Sequence, residues 1–436
     1  MGFFMPDAGY GQNHCQNPVT REKLNKNQSQ NPEQDQMSKF NTLDDLSIGN
    51  KNVLVRVDLN VPIANGKVAD TTRIERIVAT IWEITKYGGK AILLSHFGRP
   101  NGKISPEFSL EIVLGDLARI ANRQVVFVDT DWNELTLAKE TINSAPEGSV
   151  ILMQNTRFHP GEQTNDKQLA ARMAQLGDIY INDAFSAAHR AHASTEALAH
   201  LLPNAAGRAM QKELAALTKG LGKPKKPLIA LVGGAKVSTK IDLLENLLAK
   251  VDALVIGGGM ANTFLFAAGL GVGTSLCEKD LAETAIRIMD KAVDEQCSII
   301  LPVDAMVAFK FEANAPHRLY GIDAIDPKGM ILDIGPMSIQ RIKAAIDDAG
   351  TLLWNGPLGA FELSPFDQGT VEIAQYAAER TKHGNLISIA GGGDTVAALA
   401  HAGVKDQFTY VSTAGGAFLE WMEGKTLPGV AALSQS

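Results

Sequence analysis

Short apolar runs alternate with amphipathic stretches along most of this 436-residue chain, and this alternation limits its possible folds most strongly. The strand-like runs are residues 53–57, 91–94, 125–128, 150–153 and 179–181, then 228–232, 253–256, 299–301, 352–354, 386–390 and 408–411. Between the first two runs, Ile74, Ile77, Val78, Ile81 and Ile84 follow the helical period. Alternation of this kind predicts parallel sheets with helices on both faces.

The chain length and the two series of strands predict two domains, since a single hydrophobic core stops growing beyond about 300 residues. Residues 1–36 are predicted to be a disordered extension, because eleven of them are Asn or Gln and no periodicity appears. A helix-like stretch at residues 211–218 and a Gly-, Lys- and Pro-rich break at residues 220–227 predict a domain boundary near residue 222. The predicted hinge is residues 211–222, between domains at 37–210 and 223–411, with a C-terminal segment at 412–436. The predicted fold class is α/β, with two doubly wound parallel-sheet (Rossmann-like) domains joined by that hinge.

Charge, cysteine content and hydropathy argue against several classes of function. The net charge of −7 disfavours general binding of nucleic acid or of an anionic membrane. Three widely spaced cysteines argue against a disulfide framework and favour a reducing, cytoplasmic location. Residues 253–277 carry no charged side chain, but six glycines interrupt them, so a buried strand, a glycine turn and a core helix are favoured over a membrane span.

In the first half, arginine and histidine side chains follow the ends of several predicted strands. The candidate residues are Asp58, Asn60, Arg73, His96, Phe97, Gly98, Arg99, Arg157 and Arg190. Ligands of open parallel sheets bind at the carboxyl ends of the strands, and guanidinium groups hold compact anions with fixed hydrogen bonds. Each segment alone also fits a surface loop or, at Asp58, an Asx turn. Four strand ends that carry arginine or histidine together favour an anion site.

In the second half, glycine-rich turns follow the strands, and such turns bind polyphosphates through backbone N–H groups. The candidates are Gly233, Lys236, Lys240, Gly258, Glu362, Gly391, Gly392, Gly393, Asp394 and Thr395. Lys236 and Lys240 are four residues apart, so we expect them to share one helix face, where a bound polyphosphate would relieve their repulsion. Asp394 suits either an N-cap or a ligand of Mg²⁺ carried on phosphates. The glycine spacing of a P-loop is absent.

Taken in order, these segments resemble the phosphoglycerate kinase family. The resemblance runs from about Met37 to the end of the chain and rests on V-D-L-N-V-P, S-H-F-G-R-P, H-R-A-H-A-S, G-G-A-K-V-S-T-K, W-N-G-P-L-G-A-F-E and G-G-G-D-T. It implies a glycolytic enzyme that reversibly transfers a phosphoryl group from 1,3-bisphosphoglycerate to ADP with Mg²⁺. It also implies a monomer whose hinge bends, whose C-terminal segment returns to the first domain, and whose partners include neither nucleic acid nor membrane.

The resemblance also implies roles for individual residues. The first-half candidates would hold the phosphoglycerate, the second-half candidates would hold the nucleotide, and Asp394 would bind the metal. Arg73 and Lys236 would stabilise the phosphoryl group during transfer; no general base is expected, since the acceptor in the reverse direction is a carboxylate that is already ionised. Gln154, Ser186, Ala187 and Ala414 depart from the family pattern. We expect Ala414 to matter most, because alanine disfavours a positive φ or a close approach of the backbone to phosphate.

Two other functions are compatible with glycine-rich turns after strands. A nicotinamide-dependent oxidoreductase would need G-x-G-x-x-G with an acidic residue about 20 positions later, a pattern that this chain lacks. A non-catalytic nucleotide-binding scaffold would leave Arg73 and Lys236 dispensable and the arginines of the first half unexplained. Phosphoryl transfer, by contrast, requires the two domains to close and exclude water.

Overall fold

The structure of the chain is a computed structural model that describes residues 40–433. The predicted disordered extension at residues 1–36 lies outside these residues, as do the last three residues of the predicted C-terminal segment. The described residues belong to one compact unit that is built on two large parallel sheets. The predicted fold class is therefore confirmed for the described part of the chain.

The first half is built on a six-stranded parallel sheet. Its elements are β1 (Asn52–Arg56), β2 (Ile63–Ala64), β3 (Lys67–Val68), α1 (Thr72–Lys86), β4 (Lys90–Leu94), α2 (Leu114–Ala121), β5 (Val125–Val128), α3 (Thr136–Ser144), β6 (Val150–Met153), α4 (Lys167–Ala174), β7 (Ile179–Asn182), β8 (Asn204–Ala206) and α5 (Arg208–Leu217). The strand order is β5-β6-β4-β1-β7-β8, and all neighbouring pairs are parallel. The short strands β2 and β3 form a separate antiparallel hairpin.

Burial explains how α1 and the central strand are placed. The side chains of Ile74, Ile77, Ile81 and Ile84 are all buried, as the helical spacing of the sequence predicts. Strand β1 pairs with β4 on one side and β7 on the other, and its apolar residues are fully buried, as expected for a strand covered on both faces. The loop after β1 and the first turn of α1 consequently meet at the carboxyl edge of the sheet, which is where the first candidate site lies.

The second half repeats this plan and adds an antiparallel sheet. Its elements are β9 (Leu228–Val232), α6 (Ile241–Leu248), β10 (Ala253–Ile256), α7 (Gly258–Ala267), α8 (Ala282–Asp294), β11 (Ser298–Ile300), β12 (Asp304–Ala308), β13 (His317–Gly321), β14 (Met330–Ile334), α9 (Pro336–Asp348), β15 (Thr351–Asn355), α10 (Gln368–Lys382), β16 (Ile387–Gly391), α11 (Gly393–His401), β17 (Tyr410–Ser412), α12 (Gly416–Met422) and α13 (Pro428–Ala431). The parallel order is β11-β10-β9-β15-β16-β17, and the antiparallel sheet has the order β13-β12-β14.

Every predicted strand is present, with bounds that differ from the prediction by two residues at most. The sequence pattern did not predict the hairpin, β8 or the antiparallel sheet. Strand β8 reads Asn-Ala-Ala, without a β-branched or aromatic residue, and β13 is largely exposed, so neither carries the apolar run of a buried strand. Residues 253–277 form β10, a glycine turn and α7, as predicted, and no described helix has the length and hydropathy of a membrane span.

Helix α5 connects the two parallel sheets and continues into a π-helical turn, Thr218–Gly222, before β9 begins. Beyond β17 the chain contacts the first half again. The Gly429 N–H donates to the Ala188 carbonyl at 2.8 Å, and the Asn182 side-chain amide donates to the Gly429 carbonyl at 3.1 Å. His189 Nδ1 also lies 2.8 Å from Glu420 Oε1. The two halves are thus joined both through α5 and through the last helices.

Candidate functional site

Arg73, in the first turn of α1, is oriented by groups that follow β1. Its Nη1 donates to the two carboxylate oxygens of Asp58 at 3.0 and 2.9 Å and to the Asn60 carbonyl at 2.8 Å. The same carboxylate accepts from the Asn60 N–H at 3.0 Å, which is an Asx turn, and from the Ser186 hydroxyl. Asp58 therefore holds the guanidinium in place, and it also forms the Asx turn that its sequence allowed.

His96, after β4, is buried against Arg56, a residue that the sequence analysis did not select. Its Nδ1 lies 3.0 Å from Arg56 Nη2, and the fully buried Arg56 also donates to Ser194 Oγ at 2.8 Å. Burial, and next the charge of Arg56, lowers the pKa of His96 well below its ordinary value. The imidazole is therefore neutral near pH 7, with Nδ1 as the acceptor and the proton on Nε2.

The loop after β4 is tied to its neighbours through its backbone. The Gly98 N–H donates to Asn60 Oδ1 at 2.9 Å, and the Gly98 carbonyl accepts from Arg157 Nη1 at 2.7 Å. The Phe97 N–H donates to Asn155 Oδ1 at 3.1 Å, and its ring is buried. Gly98 has φ of 58°, a value that glycine adopts without strain. Phe97 and Gly98 thus shape the site, while the side chains around them supply its charge.

The cations of this region face one another with little negative charge to offset them. Arg157 is 4 % exposed, and its Nε has no hydrogen-bond partner among residues 40–433. Burial, followed by the charges of Arg56 and Arg190, lowers the pKa of Arg157 to about 10, although the buried Glu162 opposes the shift. Burial and neighbouring arginines also lower the pKa of His192 to about 3. A bound anion would relieve this repulsion, so the electrostatics favour an anion site.

Five predicted residues contribute to this cluster, which we call the arginine pocket: Arg73, His96, Arg99, Arg157 and Arg190. Arg99 and Arg190 are exposed, yet both act on the pKa of Arg157, which places them near it. Three further members were missed by the sequence analysis, namely Arg56, Ser186 and His192. A charged side chain at the end of an otherwise apolar strand was the signal that could have identified Arg56.

Lys240, the N-cap residue of α6, has its ammonium enclosed by neutral oxygen atoms. Its Nζ donates to the Gly233 carbonyl at 2.6 Å, to the Asn355 carbonyl at 3.2 Å and to Asn355 Oδ1 at 2.5 Å. Burial lowers the pKa of Lys240 to about 8, and only the charge of Asp394 acts in the opposite direction. A buried cation that is held mainly by dipoles retains its attraction for an anion.

Lys236 and Lys240 do not share a helix face, so that prediction is wrong. Lys236 has extended backbone angles (φ −137°, ψ 135°), residues Val237–Thr239 form a 3-10 turn, and α6 begins only at Ile241. The i,i+4 neighbour relation requires a continuous helix, which is absent here. As a result Lys236 is exposed to solvent while the Lys240 ammonium lies beneath the turn.

The glycine turn after β16 places Asp394 inside a helix rather than at its cap. Gly392 is the N-cap residue of α11, with φ of 101°, and Gly393 and Asp394 are its first two residues. The N-cap interpretation of Asp394 is therefore wrong, and its exposed carboxylate stands in the first turn, where the helix dipole favours negative charge. Thr395 is buried, and its hydroxyl accepts from the Gly356 N–H at 2.7 Å.

A cleft of about 320 Å³ lies in the second half, between glycine turns and the antiparallel sheet. Predicted residues in its lining are Gly258, Glu362 and Asp394, and its apolar lining includes Leu265, Leu276, Phe311, Met330, Leu332 and Leu358. Asp394 and Glu362 are exposed, and Gly258 has φ of 66°. A cleft of this size with an apolar wall and a few polar groups suits a small organic ligand such as a nucleoside. We call it the glycine cleft.

Two departures from the family pattern are accommodated without strain. The positive φ in the turn before α12 belongs to Gly415, at 40°, and Ala414 is not among the residues with positive φ. The expected backbone difficulty at Ala414 therefore does not arise. Gln154 is buried, and its Oε1 accepts from the Leu110 N–H at 3.0 Å while its Nε2 donates to Asp129 Oδ1 at 3.0 Å.

Two parallel sheets with an arginine pocket in one half and a glycine cleft in the other are typical of an α/β enzyme and give it two separate candidate sites for anionic ligands. The family model for phosphoglycerate kinase matches residues 43–425. The phosphoglycerate kinase of Rhodopseudomonas palustris is 64% identical over 394 residues, which cover 90% of this chain and 98% of that protein. The phosphoglycerate kinase of Brucella melitensis biotype 1 is 61% identical over 91% of this chain and 100% of that protein.

A solved structure gives the same result. The phosphoglycerate kinase of Coxiella burnetii superposes with a TM-score of 0.85 at 44% identity, over 90% of this chain and 98% of that one. The chain belongs to the phosphoglycerate kinase family. It is accordingly a transferase, a kinase of glycolysis, and these relatives give no support to the oxidoreductase alternative.

Proposed function

We propose that the chain transfers a phosphoryl group reversibly between 1,3-bisphosphoglycerate and ADP, with the acid phosphate in the arginine pocket and the nucleotide in the glycine cleft. The observation that carries this assignment is the lowered pKa of the buried Arg157, with its unpaired Nε, among neighbouring cations. Compensation by an anion explains why such a cluster is tolerated. Membership of the kinase family selects the substrates.

In the arginine pocket, Arg157, Arg99 and Arg190 would hold the phosphate and carboxylate groups of the three-carbon ligand. His96, with its proton on Nε2, would donate one hydrogen bond to an oxygen of that ligand. Asp58 and Asn60 would contribute mainly by orienting Arg73 and the Gly98 loop, as their hydrogen bonds support. Phe97 and Gly98 would shape the wall of the pocket.

In the glycine cleft, the apolar wall would receive the base and Glu362 would accept from ribose hydroxyls. Residues 391–393, around the start of α11, would present backbone N–H groups to the phosphates, with Thr395 supporting their turn. The Gly233 and Gly258 N–H groups already donate to the Asn355 and Leu358 carbonyls at 2.9 and 2.8 Å, so these glycines would instead let the backbone approach the nucleotide closely. The charge of Asp394 acts on the pKa of Lys240, so the two groups lie close together. The phosphates would lie near both of them and near the exposed Lys236.

The residues of this cleft fit a magnesium ion carried on phosphates. Mg²⁺ uses one or two carboxylates together with phosphate oxygens and water, and the exposed Asp394 supplies one carboxylate at a helix start. Among residues 40–433 no cluster of three or more His, Cys, Asp or Glu side chains could form a cage of protein ligands alone. When bound, the ion would neutralise phosphate charge, and Asp394 would be its ligand from the protein.

Transfer needs positioning and charge neutralisation more than acid–base chemistry. Arg73 and Lys236 would approach the phosphoryl group from the two halves and stabilise its negative charge as it moves between the acyl oxygen and the β-phosphate of ADP. The halves, expected at residues 37–210 and 223–411, would close about the linker at 211–222 and exclude water that would otherwise hydrolyse the acyl phosphate. We expect a cytoplasmic monomer whose residues 412–436 brace the first half.

ATP formation from ADP and 1,3-bisphosphoglycerate, measured with and without Mg²⁺, tests this proposal. We expect magnesium-dependent turnover in the wild-type chain and its loss in Arg73→Ala and Lys236→Ala. Binding of ADP without any turnover would support the non-catalytic scaffold instead. Normal turnover in both variants would contradict the roles proposed for Arg73 and Lys236.

A further inference from the structure

A buried carboxylate next to the glycine cleft has no role in the proposed transfer. Asp333, on β14, is 1 % exposed and contributes to the lining of the cleft. Its Oδ2 accepts from the Gly369 N–H at 2.7 Å, and its Oδ1 accepts from the Ile334 N–H at 2.9 Å. No described cation acts on the pKa of Asp333, and burial raises this pKa to about 8, so the carboxyl group is largely protonated near pH 7. Such a group is costly to bury, so its position calls for a physical explanation.

Asp333 joins the floor of the cleft to the start of α10. Gly369 is the second residue of that helix, and the N-cap residue, Asp367, makes no capping hydrogen bond through its own side chain. The Asp333 carboxylate therefore satisfies an N–H group that the local sequence leaves open. Because Thr370 Oγ1 accepts from the Leu358 N–H at 3.0 Å, the position of this helix start also fixes the adjoining loop.

That loop, residues 356–362, is packed directly against the carboxylate. A methyl group added at Gly359 would lie 2.2 Å from Asp333 Oδ1, which shows how closely the backbone approaches it. The Ala360 N–H donates to the carbonyl of Leu332, the residue before Asp333, at 2.7 Å. Loop residues from Gly359 to Glu362 line the cleft next to Asp333. A shift of the carboxylate would therefore be transmitted to the loop that carries Glu362.

We infer that Asp333 is a positioning residue for the nucleoside: it fixes the loop at residues 356–362 against the start of α10 and so sets the width of the glycine cleft. This inference rests on the proposed function, since it assumes that a nucleotide binds there. It concerns the base and ribose end of the ligand, whereas Lys240 and Asp394 concern the phosphates. The affinity for ADP should depend on Asp333, and the affinity for the acid phosphate should not.

Asp304 provides a matched control in the same sheet. It is also a buried aspartate, 3 % exposed, and its carboxylate caps the start of α9 by accepting from the Met337 and Ser338 N–H groups at 2.9 and 2.8 Å. It does not line the cleft. Removal of either carboxylate should lower thermal stability, but only removal of Asp333 should alter the cleft.

The test compares Asp333→Asn, Asp333→Ala and Asp304→Asn by thermal unfolding, steady-state kinetics and titration with a fluorescent ADP analogue. We expect both Asp333 variants to raise KM for ADP, by about fivefold or more for Ala and less for Asn, which retains one acceptor. KM for 1,3-bisphosphoglycerate and kcat should change less than about twofold. Asp304→Asn should lose stability with both KM values unchanged.

Equal KM values for ADP in the wild type and in folded Asp333→Asn and Asp333→Ala would overturn the inference, as would an equal rise in Asp304→Asn. If Asp333→Ala does not fold, the Asn variant and its ADP titration decide the matter. Failure of the wild-type chain itself to turn over or to bind the ADP analogue would instead contradict the proposed function, so the two failures are distinguishable.

Discussion

The arginine pocket and the glycine cleft differ in the groups that they offer to an anionic ligand. The pocket concentrates cationic side chains, and burial together with the charges of neighbouring arginines lowers the pKa of Arg157 and of His192. The cleft is lined by glycine turns and an apolar wall, and the Lys240 ammonium, held by neutral oxygens, lies close enough to Asp394 in the lining for their charges to interact. Under the proposed function, side-chain cations would offer fixed, strong contacts to a compact acid, while backbone dipoles would accept a larger ligand that brings its own metal ion.

The comparison also indicates where specificity resides. In the pocket, Arg73 donates to the Asp58 carboxylate and the Asn60 carbonyl, and Arg157 donates to the Gly98 carbonyl, so protein groups alone fix these two cations. In the cleft, we expect the shape of the loop and the apolar wall to select the ligand. Substitutions in the pocket should therefore affect the chemical step, and substitutions in the cleft should affect nucleotide affinity.

Among the substitutions that test this difference between pocket and cleft, Arg73→Ala should have the largest effect. We expect kcat to fall by about 100-fold or more, because a cation aimed at the transferring group is lost, while KM for ADP stays nearly constant. The free energy of unfolding should change little, since the Arg73 side chain is 35% exposed and Asp58 keeps its other donors. Steady-state kinetics and urea unfolding measure the two quantities.

Arg119→Ala is the control for that substitution. Arg119 lies on α2, is 65% exposed at its side chain and pairs only with the nearby Asp116 among described carboxylates. Its loss should leave kcat and both KM values unchanged. A comparable fall in kcat for the two arginine variants would show that Arg73 acts through general charge rather than through its position.

Substitution of Lys240 tests the opposite side of the comparison. We expect Lys240→Met to weaken ADP binding by about 30-fold or more, because a buried charge that faces phosphate is lost, with little effect on binding of the acid phosphate. In the wild type, burial lowers the pKa of Lys240 to about 8, so ADP affinity should fall as the pH rises above about 8. Isothermal titration at pH 7 and pH 9 measures both effects.

Lys250→Met supplies a control with similar burial. Burial also lowers the pKa of Lys250, which lies between α6 and β10, but the charge of Asp394 acts on the pKa of Lys240 and not on that of Lys250. Its removal should leave ADP affinity and its dependence on pH unchanged. If Lys240→Met kept the wild-type dependence on pH, another group in the cleft would have to be responsible.

Sequence patterns predicted the arginine pocket better than the glycine cleft for a physical reason. Parallel strands place their carboxyl ends at one edge, so Arg73, His96 and Arg157 could be assigned to one region from strand ends alone. Arg56 and His192 were missed because their burial depends on packing between segments distant in sequence. The sequence thus predicts which charged side chains follow the ends of the strands. It does not predict the buried residues that pack against those side chains.

The geometry of the cleft depends on turn conformations, which spacing does not determine. The interval between Lys236 and Lys240 fits a helix, but a 3-10 turn between them separates an exposed lysine from an enclosed one. Asp394 fits an N-cap by composition, yet Gly392 takes that position because it adopts a positive φ. Asp333 lies in a strand that the pattern did not predict, so its tertiary cap of α10 could not be foreseen.

His192 offers a prediction about stability rather than turnover. Its pKa of about 3 in the folded chain lies below the unfolded value near 6.5, so the unfolded chain binds the proton first as the pH falls. The free energy of unfolding should therefore decrease below pH 6.5, by about 2 kcal/mol from this residue at pH 5. His192→Asn should show a shallower decrease in urea unfolding than the wild type does. The control His383→Asn, at an exposed position, should show the same decrease as the wild type. If the unfolding free energy depended equally on pH in all three proteins, the electrostatic account of the pocket would be contradicted.

The smallest effect should come from the turn before α12, where the two halves meet. Ala414 is buried beside Arg73 in a small cavity, and its backbone does not have a positive φ. Ala414→Gly should therefore change kcat by less than about twofold and cost only about 0.5–1 kcal/mol of stability through the added freedom of glycine in the unfolded chain.

Gly415→Ala places a side chain at φ 40° and should cost about 1–2 kcal/mol, with a measurable fall in kcat. If Ala414→Gly lowers kcat more than Gly415→Ala does, the shape of the turn is not the decisive property. The effect of this segment on kcat would then depend on the methyl group of Ala414.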